Sequence, residues 1–379
     1  MSNKPVKVLY VAGKMDIGGI EVMLMNFLKN IDPQKVHIDF IVSYPEEGVF
    51  DSEIKMRGSK IFVMPRTKPL NIINYTKALY KFFKLHKNEY DIIHGSITSV
   101  GAIYMPLARI GNIKIRIIHA HYSNVCGNHY EMLERIMLKP LKYCAEYFFA
   151  CSNAAGKFCF GNKIVNSAKY KVIKNGADTD KFKFNEEVRQ STRHNLGLDG
   201  KYVIFQPARF EQEKNHTFSI EIFKEYLKTD KDAVLVFAGK GSFEEKIKSK
   251  CKMLGIQDNV MFLGLRHDME KLFQAADVFI LPSLFEGLPV VGIEAQTAGL
   301  KCLFSTGVTK EVDATGNCMF LPINNKDIWV KALKDVKGYF RTRTEDKVIA
   351  SGYDIKSRAK ELEKFYIDVA NGANVTFNG

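Results

Sequence analysis

The feature that most constrains this chain is an alternation that runs through it twice: short apolar runs rich in β-formers, each followed by an amphipathic stretch of helical length. Parallel strands cannot be joined by a hairpin and need a crossover connection, usually a helix, so this order implies parallel sheets with helices between their strands. The first half reads as strands near 7–12, 37–43, 60–64, 90–94, 115–121, 147–151 and 170–173. The pattern then restarts, with strands near 202–207, 233–238, 259–263, 278–281, 301–304 and 317–321.

At 379 residues the chain exceeds what one core comfortably holds, so two α/β domains facing across a cleft are expected. The boundary falls near residue 175, where Asn175-Gly176 opens a charged, weakly periodic stretch, 174–200, suited to a hinge. Residues 357–369 read as a helix with Ala359, Leu362, Phe365 and Tyr366 at helical spacing, and 371–379 as a tail expected to fray. No segment holds the roughly 18 uncharged apolar residues of a membrane span, and 1–7 lacks the pattern of a signal peptide, so a cytoplasmic protein is expected. Seven cysteines (Cys126, Cys144, Cys151, Cys159, Cys251, Cys302 and Cys318) form no metal-site spacing and read as buried free thiols. The net charge of +13 is lopsided: residues 1–175 carry 25 Lys and Arg against 13 Asp and Glu, or +12, and the remainder 30 against 29. That asymmetry directs the first half towards something anionic, either nucleic acid or an acidic lipid surface. No nucleic-acid-binding module accompanies it, and none is expected to bind.

Open parallel sheets bind ligands beyond the carboxyl ends of their strands, which singles out the polar residues there. After the strand ending at Leu281 comes Ser283-Leu284-Phe285-Glu286-Gly287-Leu288-Pro289, where Pro289 suits the first turn of a helix and Gly299 its end. The free amides of Gly287 and its neighbours would then meet a phosphate at a helix N-terminus. Glu286 and Glu294 flank that point and suit hydroxyls on either side of a diphosphate; the plainer alternative is two solvated carboxylates. After the strand 202–207, Arg209 and Lys214 are placed to neutralise one anion without a divalent metal, or else to pair with Glu211 and Glu213 on the surface. Gly239-Lys240-Gly241 follows the next strand, where small residues admit a ligand but also make an ordinary turn. In the first half, Met15-Asp16-Ile17-Gly18-Gly19 follows the first strand. His119 and His121 end the fifth on one face, either as groups for a sugar hydroxyl or phosphate or as structural histidines.

At these residues the chain resembles the retaining glycosyltransferase family 4, along nearly its whole length. The resemblance is most specific in Glu286-x7-Glu294 within Phe285-Glu286-Gly287-Leu288-Pro289, and in Arg209-x4-Lys214-Asn215. Val172-Ile173-Lys174-Asn175-Gly176-Ala177-Asp178 matches the family's interdomain segment, with Lys174 where proline is usual. The family implies the GT-B fold, an α/β arrangement of two Rossmann-like domains with the C-terminal helix crossing back to the first. The domains would be 1–175 with 357–370, and 176–356. It implies that Arg209 and Lys214 hold the donor diphosphate, Glu294 the ribose and Glu286 the transferred sugar, with Leu265 beside the base. Gly18, Gly19, Gly239, Gly287 and Leu288 would line the donor. His121 would stand near the reacting sugar, with His119 as the fallback.

The implied reaction moves a sugar from a nucleoside diphosphate, UDP by family frequency, to a hydroxyl of a glycan or lipid-linked acceptor, with retained configuration and no cofactor or metal. Capsule and exopolysaccharide assembly fits such an enzyme. Lys77, Lys81 and Lys84, with Tyr80, Phe82 and Phe83 nearby, offer a peripheral contact with anionic membrane at the inner face, or a solvated helix whose aromatics belong to the core. Asp178-Thr179-Asp180 looks like the metal motif of another transferase fold but lies in the linker. The rival readings are a sugar-nucleotide epimerase or phosphorylase, and an inactive homologue serving as a partner protein.

Overall fold

The structure, a computed structural model, describes residues 4–16, 18–66, 71–121 and 131–377, without the side chains of 131–134. The chain divides into two compact units, 1–175 with 355–379, and 176–354. In the first, strands β1 (Val6–Val11), β2 (Val36–Val42), β3 (Ile61–Val63), β4 (Ile92–Gly95), β5 (Ile115–Ala120), β6 (Tyr147–Ala150) and β7 (Tyr170–Val172) form one sheet in the order β3-β2-β1-β4-β5-β6-β7. In the second, β8 (Val203–Pro207), β9 (Val234–Ala238), β10 (Val260–Phe262), β11 (Val278–Leu281), β12 (Lys301–Ser305) and β13 (Cys318–Leu321) take the order β10-β9-β8-β11-β12-β13. Every pairing among these strands is parallel. Each expected strand is present, with ends that agree or differ by at most two residues.

Both faces of each sheet are covered, which is why its strands read as continuous apolar runs. Along β1, Leu9 and Val11 enter a core with Ile41, Ile93 and Ile118, while Val8 and Tyr10 enter the opposite core with Phe40, Ile92 and Phe149. In the second unit Val203, Phe205 and Leu281 face one core, and Ile204, Ile280 and Leu303 the other. The strand order reverses between β1 and β4 and again between β8 and β11, so each unit has a crevice at the carboxyl ends of those two strands.

The final helix, Ile355–Ala370, belongs to the first unit. It buries Ile355, Ala359, Leu362, Phe365, Tyr366 and Val369 at helical spacing, in the core that also holds Val8 and Tyr10. Each large side chain so buried contributes about 1.5–3 kcal/mol before the entropy of ordering is subtracted. Contrary to the expected fraying, the described residues after it, up to Phe377, are tied to the first unit. Phe377 donates its amide to the Ala168 carbonyl at 2.8 Å and packs its ring 5.7 Å from Phe365, and Lys169 Nζ reaches the Val375 carbonyl at 2.8 Å.

The two units divide at 175/176, within the stretch expected to hold a hinge, and the rest of that stretch is built into the second unit. Helix Glu186–Asn195 is fastened to the second unit by Arg193, whose guanidinium donates to the carbonyls of Ala275 and Leu198 at 2.8 Å and to Asp277 at 3.1 Å. Asp277 also pairs with Arg189 and accepts the Val203 amide at 2.7 Å, tying the helix to β8. Asp178 accepts the Lys181 amide at 3.1 Å and so caps helix Thr179–Phe182, which gives the Asp-x-Asp sequence a structural role.

Candidate active site

The second unit's crevice is assembled from the loops after β8 and β11. The Gln206 side chain is fully buried; its amide donates to the Lys214 carbonyl at 2.9 Å and its oxygen accepts from Ser219 at 2.6 Å, so the loop leaving β8 is held from beneath. Asn215 takes the left-handed conformation at φ 53°, which asparagine tolerates, and its side chain donates to the Pro282 carbonyl at 3.2 Å. The Leu284 amide donates to the Glu213 carbonyl at 2.8 Å, closing a second link between the two loops. From the other side the Glu286 amide donates to the Gly307 carbonyl at 3.1 Å. A Cβ on Gly307 would lie 2.2 Å from the Leu284 carbonyl oxygen, so only glycine allows that approach.

On this frame Lys214 Nζ pairs with Glu286 Oε1, which also accepts the Ser283 hydroxyl at 2.8 Å. Only 18% of the Lys214 side chain and 12% of the Glu286 side chain are exposed, so this is a shielded pair with a third, hydroxyl donor. Ser283 itself is fully buried. Arg209 is 63% exposed and lies 3.7 Å from Glu213, four residues on. The two cations thus have different carboxylate partners, Glu213 for Arg209 and Glu286 for Lys214.

Helix Val290–Thr297 begins after Pro289, which sits at its N-cap rather than in its first turn, and Gly299 follows its end at φ 75°. A Cβ on Gly299 would meet the Thr342 carbonyl at 2.3 Å. Since the helix starts only at Val290, helical rise does not set the separation of Glu286 and Glu294. Desolvation pushes the Glu294 carboxyl from 4.5 up to about 7, with Lys181 pulling it down and Glu270 adding to the rise. A carboxyl group whose pKa is raised by burial near a strand's carboxyl end is a candidate for hydroxyl or cationic partners.

The remaining donor-side expectations divide. Leu265 is 41% exposed, while Leu288 is buried in the core at 8%, leaving only its backbone for a ligand. The space a side chain on Gly239 would need is filled by the Ala208 carbonyl at 2.3 Å, so this glycine serves the packing of two loops. A cavity of about 400 Å³ opens beside the β8 loop, lined by Glu211, Gln212, Asn215, His216, Lys246 and Leu284 among others, and by none of the side chains expected to bind the donor.

In the first unit, Gly18 is the N-cap of helix Gly19–Asn30, and the space beside Gly19 is open; Ile17 lies outside the described residues. His119 lies within β5 and His121 one residue past it, with ring centroids 4.1 Å apart. Burial lowers the pKa of both, His121 to about 3, so both rings are neutral at pH 7. His121 Nε2 lies 3.1 Å from Ser96 Oγ, and Ser96 Oγ lies 2.6 Å from Tyr10 Oη. His119 Nδ1 lies 3.3 Å from His94 Nε2, whose Nδ1 lies 2.6 Å from Tyr366 Oη. The sequence reading missed His94, Ser96 and Gly307 as site-builders, and placed Ser283 in the loop after β11 without giving it a role. Ser96 and Gly307 each follow a strand's carboxyl end, the signal that singled out the others.

Among the described residues no cluster of metal-ligating side chains occurs; Cys151, Cys159, Cys251 and Cys302 are buried free thiols, Cys144 and Cys318 are free but only half-buried, and Cys126 lies outside the described residues. No helix among them is long and apolar enough to cross a membrane.

Comparison with known proteins covers both units. Residues 17–181 match the family model described as Glycosyltransferase Family 4, and residues 188–337 that described as Glycosyl transferases group 1. A putative glycosyltransferase of Bacillus subtilis, EpsF, is 26% identical over 97% of each chain. An Escherichia coli UDP-Gal:alpha-D-GlcNAc-diphosphoundecaprenol alpha-1,3-galactosyltransferase is 25% identical over 97% of this chain and 98% of its own. Among solved structures, the Anabaena protein HepE in complex with UDP and glucose superposes with a TM-score of 0.78 at 17% identity, over 95% of this chain and 99% of that one.

Proposed function

Because the chain belongs to the group 1 and family 4 glycosyltransferases and is an enzyme of that class, we propose that it transfers a sugar from a UDP-sugar, with retained configuration, to a glycan or lipid-linked acceptor in cell-surface polysaccharide assembly. The observation that carries this reading is the shielded Lys214–Glu286–Ser283 cluster at the β8/β11 crossover, with Glu294 on the helix that follows. Lys214 and Arg209 hold the diphosphate, Glu294 accepts from the ribose hydroxyls and Glu286 from those of the transferred sugar. As the bond between the anomeric carbon and the diphosphate oxygen breaks, that oxygen keeps the electron pair. The cations stabilise the charge that develops there. The acceptor hydroxyl forms the new bond on the same face, and its proton passes to the departing phosphate oxygen. His121 positions the sugar and forms no covalent bond. No cofactor is invoked, and cationic side chains take the part a divalent metal would otherwise play.

The galactosyltransferase relative acts, by its name, on a diphosphoundecaprenol-linked sugar, which supports an acceptor held at a membrane. Helix Ile72–Leu85 supplies a surface for that: Lys77, Lys81 and Lys84 are exposed and make no ion pair among the described residues, beside Ile73, Tyr80 and Leu85 at 66%, 49% and 82% exposure. Phe82 and Phe83 are in the core. We infer peripheral contact of this face with anionic lipid at the cytoplasmic side of the membrane.

The test is a donor panel: purified protein with UDP-, GDP- and ADP-sugars, following thermal stabilisation and slow donor hydrolysis. One donor that stabilises the wild type but neither Arg209→Ala nor Glu294→Ala supports the reading. Folded protein that responds to no donor and no free nucleotide defeats it in favour of an inactive partner protein.

A further inference from the structure

The two hydrogen-bonded strings in the first unit contain enough hydroxyl protons to fix which nitrogen of each histidine carries hydrogen. Tyr366 is fully buried, and the acceptor for its phenol proton is His94 Nδ1 at 2.6 Å. A buried hydroxyl left without an acceptor is costly, so Tyr366 donates. A neutral imidazole has one N–H, so His94 carries its proton on Nε2 and donates to His119 Nδ1 at 3.3 Å. His119 must then carry its proton on Nε2, which has no partner among the described residues and is buried.

The second string obeys the same count. Tyr10 and Ser96 are 3% and 6% exposed and bring two hydroxyl protons to a chain that ends at His121 Nε2. Only one assignment gives both protons an acceptor: Tyr10 donates to Ser96, and Ser96 to His121 Nε2. The His121 proton therefore sits on Nδ1, again buried and without a partner among the described residues. The lowered pKa values keep all three rings neutral, the condition the count requires.

We propose that Tyr10 and Ser96, with Tyr366 and His94, are positioning residues that lock His121 as the Nδ1–H tautomer and His119 as the Nε2–H tautomer. The carboxyl end of β5 then offers N–H donors, and no basic nitrogen, to an oxygen of the sugar or phosphate. This rests on the glycosyltransferase reading for its consequence but not for its geometry. A donor there holds a hydroxyl or phosphate oxygen by its lone pair, and cannot take a proton from an attacking water. The string from Tyr366 also makes the final helix part of the site's support: a residue at position 366 reaches, through His94, the ring beside His121.

Tautomers are read directly by long-range ¹H–¹⁵N correlation spectra of the full chain labelled in histidine, without any donor present. The expected wild-type spectra show His121 protonated on Nδ1, and His94 and His119 on Nε2. Ser96→Ala removes the donor to Nε2 and is expected to move His121 towards the Nε2–H form, while Ser96→Thr keeps it. Tyr366→Phe is expected to shift His94 and His119 without moving His121. With the donor found by the panel, kcat falls about 10-fold or more in Ser96→Ala, as expected when one aimed donor is lost, with KM for the donor little changed and recovery in Ser96→Thr. A wild-type His121 carrying its proton on Nε2, or Ser96→Ala spectra identical to wild type, overturns the proposal. A tautomer shift with unchanged kcat overturns its positioning role. Absence of turnover in a wild type with the expected spectra counts against the glycosyltransferase reading instead.

Discussion

Glu294→Gln is expected to stabilise the ligand-free protein above neutral pH while abolishing its response to donor. The Glu294 carboxyl has a folded-state pKa of about 7 against 4.5 in an ordinary setting, the rise caused first by burial. A pKa raised on folding means the unfolded chain holds the charge more easily, so stability from this group is fully present below 4.5 and is lost as pH rises through 7. At about 1.4 kcal/mol per unit, linkage gives a penalty of about 0.8 kcal/mol at pH 5 and about 3 kcal/mol at pH 8. The neutral amide escapes that penalty. For a domain of about 150–250 residues each kcal/mol is worth about 2–4 °C, so the Tm advantage of Glu294→Gln should be about 5–10 °C larger at pH 8 than at pH 5. Differential scanning fluorimetry across that range measures it. A Tm difference that is flat with pH, or that falls towards pH 8, refutes the reasoning. The same carboxyl predicts the pH dependence of binding. Ribose hydroxyls favour its ionised form, so donor binding releases a proton near pH 7 and tightens as pH rises through 7. Calorimetry in two buffers of different ionisation enthalpy reads the released proton directly.

Glu286→Gln should loosen the hold on Lys214 and leave that cation for phosphate, so free UDP is expected to bind several-fold more tightly while kcat for the sugar donor falls by about 100-fold, the scale of one lost transition-state contact; weaker UDP binding would contradict the pairing as drawn. Asp277→Asn strips the shared acceptor from Arg189 and Arg193, and the loss of a shielded charge partner should cost about 3 kcal/mol in urea unfolding of the protein. Replacing Lys77, Lys81 and Lys84 together with glutamate should weaken binding to vesicles containing phosphatidylserine by about 100-fold at low salt, at roughly 1 kcal/mol per lysine; equal binding by wild type and variant in a flotation assay would remove that face from consideration.

The fold was legible because its information is local. A strand covered on both faces, such as β1 with Val8 and Tyr10 on one side and Leu9 and Val11 on the other, writes itself as an unbroken apolar run. A crossover helix writes itself as a 3.6-residue period. The loops that follow β8 and β11 were legible for the same reason, since a strand's end can be counted along the chain. What was lost is what depends on how two distant ends meet. The position of Arg209 and Lys214 after β8 could be counted along the chain, but not that Lys214 meets Glu286, 72 residues on. The division of the units at 175/176 lies inside the stretch read as a hinge, but the fastening of the rest of that stretch could not be read from its charges. Arg193 uses its charge to collect carbonyls of Ala275 and Leu198 against Asp277.

The histidines show most sharply where the limit lies. Spacing placed His119 and His121 on one face of β5, but an imidazole's chemistry depends on which nitrogen holds the proton, and that is set by neighbours in three dimensions. Here the neighbours come from β1 (Tyr10), the end of β4 (His94, Ser96) and the last helix (Tyr366), elements brought together only by the β1-β4-β5 order and by the chain's return from the second unit. Each of these residues alone reads as an ordinary core or strand-end side chain. Their function follows from the proton count of the set, so no single position in the sequence could announce it.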